Sequence, residues 1–354
     1  MSGEFRVIDS GVADGRRQIA FDQALIELHK AGRIPDTVRF LRFPPTVLIG
    51  RHQVLSHEVR LDYCKANNIG LARRISGGGT IYLDEGQLGW ELVFRRHILE
   101  FATLQDYAQK ICKAVANGLS ENFGVRARFR GRNDIEVDGR KLCGTGGFYD
   151  GDSIIYQGTV LVDMDPSRMV ACLNVPEAKL EKRKLDSAEQ RVVTLNELLG
   201  KSVDIAEVQN AVLEGLSNNL DISTYYGTVS EEEKRSANQC WKDEIGLDEF
   251  VDEIKLPDGG KIYSASIQTK GGLISTSLRL DGRQDRIREI LFAGDFFVAP
   301  PRTVFDLEAR LRGIEQRNIS SVINNFFANS EISMLTLRPE DFVEVIELAI
   351  ASAC

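Results

Sequence analysis

Residues 73–82 read Arg73-Arg74-Ile75-Ser76-Gly77-Gly78-Gly79-Thr80-Ile81-Tyr82, and the rest of the chain is best understood outward from them. Three successive glycines before an apolar run let the backbone approach a ligand closely and turn without a Cβ in the way. Two arginines on one flank offer planar forks that suit phosphate or carboxylate. Ser76 adds a short hydroxyl beside them. Two later segments, Gly131-Arg132-Asn133-Asp134 and Lys141-Leu142-Cys143-Gly144-Thr145-Gly146, reinforce it, the second with a lysine that can meet the same anion. Together they describe an anion cradle for an activated, phosphate-bearing small molecule.

The flanking sequence gives the cradle its setting. Residues 5–9 and 37–49 read as strands, the second interrupted by Pro44-Pro45. Between them, residues 20–29 carry a helical apolar face of Ala20, Ala24, Leu25 and Leu28. A short helix is expected over 61–67. Residues 79–82 and 88–94 read as the arms of a β-hairpin turned by Asp84-Glu85-Gly86. Residues 104–122 form an amphipathic helix closed by Gly124, and 134–137 with 140–142 form a second hairpin around Asp138-Gly139. Residues 154–163 read as a buried strand. The charged run 177–189 is expected to be mobile. Helices over 195–199 and 205–216 close the first unit, and 230–242 is a polar, Trp-anchored connecting helix. This order favours an α+β fold, a mixed or antiparallel sheet with packed helices, over a doubly wound parallel sheet.

A second unit is expected from Phe250. Strands at 260–263, 265–269, 273–278 and 287–297 are separated by Gly-rich turns, followed by helices at 304–311, 319–327 and 339–350. With 354 residues the chain exceeds a usual single core, so two domains are expected, 1–245 and 250–354.

Composition excludes several classes. A net charge of -8 argues against a general nucleic-acid binder. No apolar run is long enough to span a bilayer, and the polar N-terminus lacks a signal-peptide core, so a cytoplasmic protein is expected. Six cysteines without a CxxC pair read as reduced structural thiols, and four histidines show no metal-ligand spacing.

The ordered set of motifs resembles the lipoate–protein ligases. Residues 73–82 are similar to that family's RRxSGGGAVxHD, Gly131-Arg132-Asn133-Asp134 to its GRND, and Lys141 to Gly146 to its K-[IV]-S-G-S-A. Gln157-Gly158-Thr159-Val160-Leu161 stands at its H-G-T-L-L, and Ile49-Gly50-Arg51-His52-Gln53 at its IGRxQ. The residues from 250 onward resemble its accessory domain, so the likeness covers nearly the whole chain. The departures are Cys143 for a serine, Gln157 for a histidine, Gln87 for a common Asn and Leu83 for a frequent His.

The resemblance implies a class II synthetase-like biotin/lipoate ligase fold and a two-step ligation. ATP and lipoate form lipoyl-adenylate, and the acyl group then passes to a lysine of a carrier. It implies a catalytic role for Lys141 against the mixed anhydride. Arg74 and Ser76 would hold the carboxylate or phosphate, and Gly77, Gly78 and Gly79 would pass beside the lipoyl chain. Asn133 and Asp134 would bind nucleotide, Asp134 with a phosphate-bound Mg²⁺. Gly144, Thr145, Gly158 and Thr159 belong to the same binding segments, and Tyr82 would line a tunnel for the dithiolane. Implied partners are a lipoyl carrier (a 2-oxoacid dehydrogenase lipoyl domain, a glycine-cleavage carrier or a lipoate-binding protein) and lipoate or octanoate, with no nucleic acid and no membrane.

The main alternative is an ATP-independent octanoyl or lipoyl transferase of the same fold, which needs a cysteine nucleophile. Neither segment comparable to a transferase's cysteine site, Ala127-Arg128-Phe129 or Gly151-Asp152-Ser153, carries a thiol, which leaves Cys143 as the candidate. A biotin–protein ligase is expected to carry a GRGRxGR-like loop, where this chain has Arg74-Ile75-Ser76-Gly77-Gly78-Gly79. A non-catalytic carrier-binding scaffold gives no reason for Lys141.

Overall fold

The computed structural model describes residues 3–99, 103–174, 191–282 and 285–352; the charged run 177–189 lies outside them. The chain is α+β, as expected, built on an eight-stranded mixed sheet. Its strands are β1 (Gly3–Val12), β2 (Thr37–Arg42), β6 (Gln87–Arg95), β7 (Arg128–Arg130), β8 (Asp134–Val137), β9 (Arg140–Asp150), β10 (Ser153–Leu161) and β11 (Ile222–Tyr226). They run in the order β11-β1-β2-β6-β10-β9-β8-β7. β1 pairs parallel with both β2 and β11, and the strands from β2 to β7 pair antiparallel.

Helix α1 (Gly15–Lys30) is capped by Asp14, whose carboxylate accepts from the Arg16 amide at 3.0 Å, so it begins ahead of the expected apolar stripe at Ala20. Helix α2 (Leu104–Phe123) carries a full capping box between Thr103 and Asp106 and ends, as expected, at Gly124 with φ 67°. It packs with α3 (Ile205–Leu220) on one face of the sheet, over the buried side chains of Trp90, Cys143 and Tyr156. Helix α1 lies on the opposite face, backed by α4 (Glu231–Cys240) and a π-helical turn, Trp241–Ile245. Arg17 stacks on the Trp241 ring at 3.6 Å.

The first expected hairpin does not form. β3 (Thr46–Ile49), β4 (Gly70–Arg73) and β5 (Ile81–Leu83) make a separate three-stranded sheet, in which β5 pairs with β3 and not with β6. The turn at Asp84-Glu85-Gly86 is present, but Gly86 is taken up by Asp163, whose amide donates to its carbonyl at 2.7 Å. The chain therefore steps from one sheet to the other there. The second hairpin, β8–β9, forms with a bulge beside Lys141.

The C-terminal part holds β12 (Tyr263–Thr269), β13 (Gly272–Asp281) and β14 (Arg286–Gly294) as one antiparallel sheet. The two segments at 260–263 and 265–269 thus belong largely to a single strand. β15 (Val298–Ala299) and β16 (Ser333–Met334) form a small ladder. Helices α5 (Thr303–Leu311), α6 (Ile319–Ala328) and α7 (Pro339–Ala351) complete a core of their own around Ile274, Phe292, Phe296 and Phe342. Phe250 and Val251, by contrast, pack into the N-terminal clusters.

Candidate functional site

On the face of the large sheet that carries α1, β9 and β10 present a row of glycine and polar residues. Register places Gly144 between Asp134 and Thr159, and Gly146 beside Gln157. Because side chains alternate along a strand, Gly144, Gly146, Gln157, Thr159 and Asp134 share this face. Lys141, freed by the bulge, lays its ammonium over Gly144: a Cβ there would sit 2.5 Å from Nζ. That ammonium pairs with Asp134 Oδ1 at 2.8 Å, with the lysine side chain 32% exposed. A cation on a bare glycine floor, with one carboxylate beside it, is open to an anionic ligand.

The glycine loop hangs over the same floor. Its two arginines do not present free forks. Arg73 is fully buried and spends its donors on carbonyls of Gly50, Gln53, Phe250 and Val251, at 2.7–3.1 Å. Arg74 donates to the carbonyls of Leu48, Gly77 and Gly79 at 3.1, 3.2 and 2.8 Å, so it ties the loop shut from within. Burial, then the repulsion between neighbours, brings each guanidinium down to about 10. One buried and one half-buried cation, both bonded to carbonyls, leave the loop electropositive. Gln53 braces the loop's other side, accepting from the Gly50 amide at 2.9 Å and the Thr80 hydroxyl at 2.7 Å.

Not every expected residue reaches this face. Thr145 points the other way, its hydroxyl bonded to Tyr156 Oη at 2.7 Å and to the Asn133 carbonyl at 2.9 Å. Gly158 is covered by the Trp90 ring on that same core side. Any contact from these two to a ligand over Lys141 has to come from backbone atoms. Asn133 is occupied bracing β9, donating to the Thr145 carbonyl at 2.6 Å. Tyr82 is buried in a separate apolar cluster with Val47, Ile49 and Leu55, because β5 joined the small sheet; burial pushes its hydroxyl up to about 12.

Cys143 is fully buried in the main core, and burial drives its thiol well above the ordinary range. Cys112, also buried, is pushed up to about 11 by the same cause. Cys64 and Cys172 pack behind the small sheet, and Cys240 lies beside Glu27 on the outer surface.

Several residues of the site carry no motif signal. Phe297 is the foremost. Its ring, 3% exposed, sits between the glycine loop and β9. A Cβ at Gly78, where φ is +96°, would meet the ring at 2.6 Å, and one at Gly146 would overlap it. The Gly78 amide donates to the Phe296 carbonyl at 3.1 Å, so the C-terminal part is hydrogen-bonded to the loop. Arg132 completes this joint by donating to the Gly271 carbonyl at 2.5 Å. Behind Ser76 lies a buried polar cluster of Asp22, Arg39, Glu91 and Gln157, which strand alternation alone does not reveal. Burial and the nearby Glu91 raise the Asp22 carboxyl.

Comparison with known proteins places this arrangement. Residues 14–217 match the model of the lipoyl protein ligase A/B catalytic domain. The chain is 29% identical over 245 residues to lipoate-protein ligase A subunit 1 of Thermoplasma acidophilum, covering 66% of this chain and 91% of that one. It is 27% identical over 273 residues to octanoyltransferase LipM of Symbiobacterium thermophilum, covering 71% and 98%. It is also similar to a crystal structure of lipoate-protein ligase A bound with ATP, with TM-score 0.62 and 27% identity over 71% of this chain and 99% of that chain. Among the described residues no helix is long and apolar enough to cross a membrane.

Proposed function

The chain belongs to the lipoyl protein ligase A/B catalytic domain family, an enzyme family of lipoyl and octanoyl attachment, and within it we propose an ATP-dependent lipoate–protein ligase. Lipoate and ATP give lipoyl-adenylate and pyrophosphate, and a carrier lysine then takes the acyl group. The observation that carries this choice is the placement of the thiols. A transferase needs a nucleophilic cysteine that ionises readily and reaches its acyl donor. Cys143 and Cys112 are buried in the core with raised values, and among the described residues no thiol opens onto the floor beside Lys141.

The residues suit a ligase in chemical terms. Lys141 stands where negative charge gathers as the mixed anhydride forms and again as it breaks, and a fixed cation stabilises both transition states. Asp134 aims that ammonium, and its carboxylate is 23% exposed. One such carboxylate fits a Mg²⁺ held mainly by nucleotide phosphates. Arg74 and Ser76 shape the loop so that Gly77, Gly78 and Gly79 offer backbone to the ligand, while Asn133 fixes the strand under it. Thr159 and Gly144 form the floor. Residues 1–245 carry the chemistry on this reading, and residues 250–354 close over it as an accessory domain. The acceptor is a lysine on a lipoyl carrier, of the 2-oxoacid dehydrogenase, glycine-cleavage or lipoate-binding type.

Intact-mass spectrometry of a lipoyl carrier, incubated with enzyme, lipoate and Mg²⁺ with and without ATP, tests the assignment. A lipoyl mass gain that requires ATP is expected. The similarity to LipM supports a second reading, octanoyl transfer without ATP. Transfer from an acylated donor carrier with none from the free acid would establish that instead.

A further inference from the structure

The cluster behind Ser76 has a geometry that fixes one polar atom toward the proposed ligand. Four strands bring a row of residues side by side: Arg39 opposite Glu91, Glu91 opposite Gln157, and Gln157 opposite Gly146. Asp22 enters the row from α1. Arg39 Nη1 donates to Asp22 Oδ1 at 2.7 Å and to Glu91 Oε1 at 2.8 Å. Gln157 Nε2 donates to the other oxygen of each, at 2.8 and 2.9 Å. Arg39, Asp22 and Glu91 are no more than 1% exposed.

This arrangement settles which way the Gln157 amide faces. Turning it over would set its oxygen against two buried carboxylates and take from each the donor on its second oxygen, leaving them Arg39 alone, a costly exchange. Nε2 is therefore held inward and Oε1 outward. Oε1 accepts only a long bond from Ser76 Oγ, 3.4 Å, and an amide oxygen has two lone pairs. Gln157 thus presents an acceptor, and no donor, to whatever lies over Gly146.

Strand geometry says which part of a ligand that is. With the anionic end at Lys141 over Gly144, Gly146 is two residues along, about 7 Å, and Gln157 one strand across, about 5 Å. The diagonal, roughly 8 Å by the same spacings, is the reach of a medium-length acyl chain. On the ligase reading, we propose that Gln157 determines specificity by reading the far end of the acyl chain, favouring a tail that ends in a hydrogen-bond donor over a plain alkyl end. A thiol or hydroxyl gives Oε1 its second partner; a methyl group covers it and gives it none. The dithiol form of the lipoyl tail has such donors and octanoate has not. Asp22, Glu91 and Arg39 act through Gln157 as positioning residues.

Acid-dependent ATP–pyrophosphate exchange by the full chain, with octanoate and with 8-hydroxyoctanoate, tests this. An apolar pocket rejects the hydroxylated acid, whereas the wild type is expected to use it at least as well as octanoate by kcat/KM. Gln157→Met should lower the ratio of hydroxyl to alkyl substrate at least tenfold. Asp22→Asn, which loosens one side of the amide, should lower it about threefold, with the change in KM for the acid and not for ATP. A wild type that prefers octanoate tenfold, or a ratio that neither variant moves, overturns the proposal while leaving the ligase intact. No exchange with any acid, lipoate included, overturns the ligase reading and this proposal with it.

Discussion

His52 makes a measurable prediction about the joint between the two parts of the chain. It is 1% exposed, stacked on Phe296 at 5.1 Å and tilted against Phe305 at 5.9 Å, and neither ring nitrogen has a hydrogen-bond partner among the described residues. Burial, with the charges of Arg51 and Arg73, lowers its pKa from 6.5 to about 3. The folded chain therefore keeps this imidazole neutral at a pH where the unfolded chain protonates it. A depressed histidine contributes stability that is present above its unfolded value and lost as pH falls toward the folded one. At pH 5 the gap is 1.5 pH units below the ordinary value, which costs about 2 kcal/mol.

Replacing the ring by phenyl in His52→Phe keeps the stack and removes the titration. Asp22 and Glu308 act in the opposite sense, since burial raises both and their contribution is lost as pH rises. They are the same in both proteins and cancel in a difference of differences. Urea unfolding followed by tryptophan fluorescence at pH 7 and pH 5 should show the wild type losing about 2 kcal/mol more than the variant, roughly a thirtyfold change in the folding constant. Equal losses in the two proteins would refute the reasoning, because they would mean that His52 is hydrated or hydrogen-bonded in solution.

Three further outcomes follow from the site. Lys141→Ala should reduce lipoate-dependent pyrophosphate release by about a hundredfold or more, with little change in melting temperature because the side chain is 32% exposed; normal turnover would remove the lysine from the chemistry. Cys143→Ser places a hydroxyl in a fully buried core position and should cost about 1–3 kcal/mol of stability, yet leave ATP-dependent attachment intact. Complete loss of activity in a folded protein would restore the thiol mechanism. Phe297→Ala should destabilise by about 3–5 kcal/mol and tighten binding of the acid about tenfold or more in calorimetry; an unchanged affinity would show that the ring and the acid do not compete.

What the sequence conveyed depended on whether the information was local. The stop at Gly124 and the turn at Asp138-Gly139 are local, and both appear as read, while the cap at Thr103 is a local signal that went unread. Alternation identified β3 and β5 as strands but not their partners, since a strand's pattern says which face is apolar and not which sheet it joins. Tyr82 accordingly packs with the small sheet. The arginine pair shows the same limit: the sequence fixes two adjacent guanidiniums, while burial decides that Arg73 holds carbonyls 177 and 178 residues away. Arg39 and Glu91 belong to no motif; only the register sets them opposite one another, where they become a buried pair.

Phe297 gives the glycines of two motifs a common explanation. On the proposed reading Gly78 and Gly146 are bare so that an acyl-adenylate can lie between loop and strand, yet in this structure the ring fills the same space. Ring and ligand then exclude one another, and whatever free energy seats the ring is subtracted from ligand affinity. Burying a phenylalanine side chain stabilises by about 1.5–3 kcal/mol, so the closed arrangement weakens apparent binding by about ten- to a hundredfold. The Gly78–Phe296 and Arg132–Gly271 hydrogen bonds add to that total. Both bonds hold the segment around Phe297 against the loop, so a ligand that displaces the ring by shifting that segment, and not by turning the side chain alone, breaks them as well.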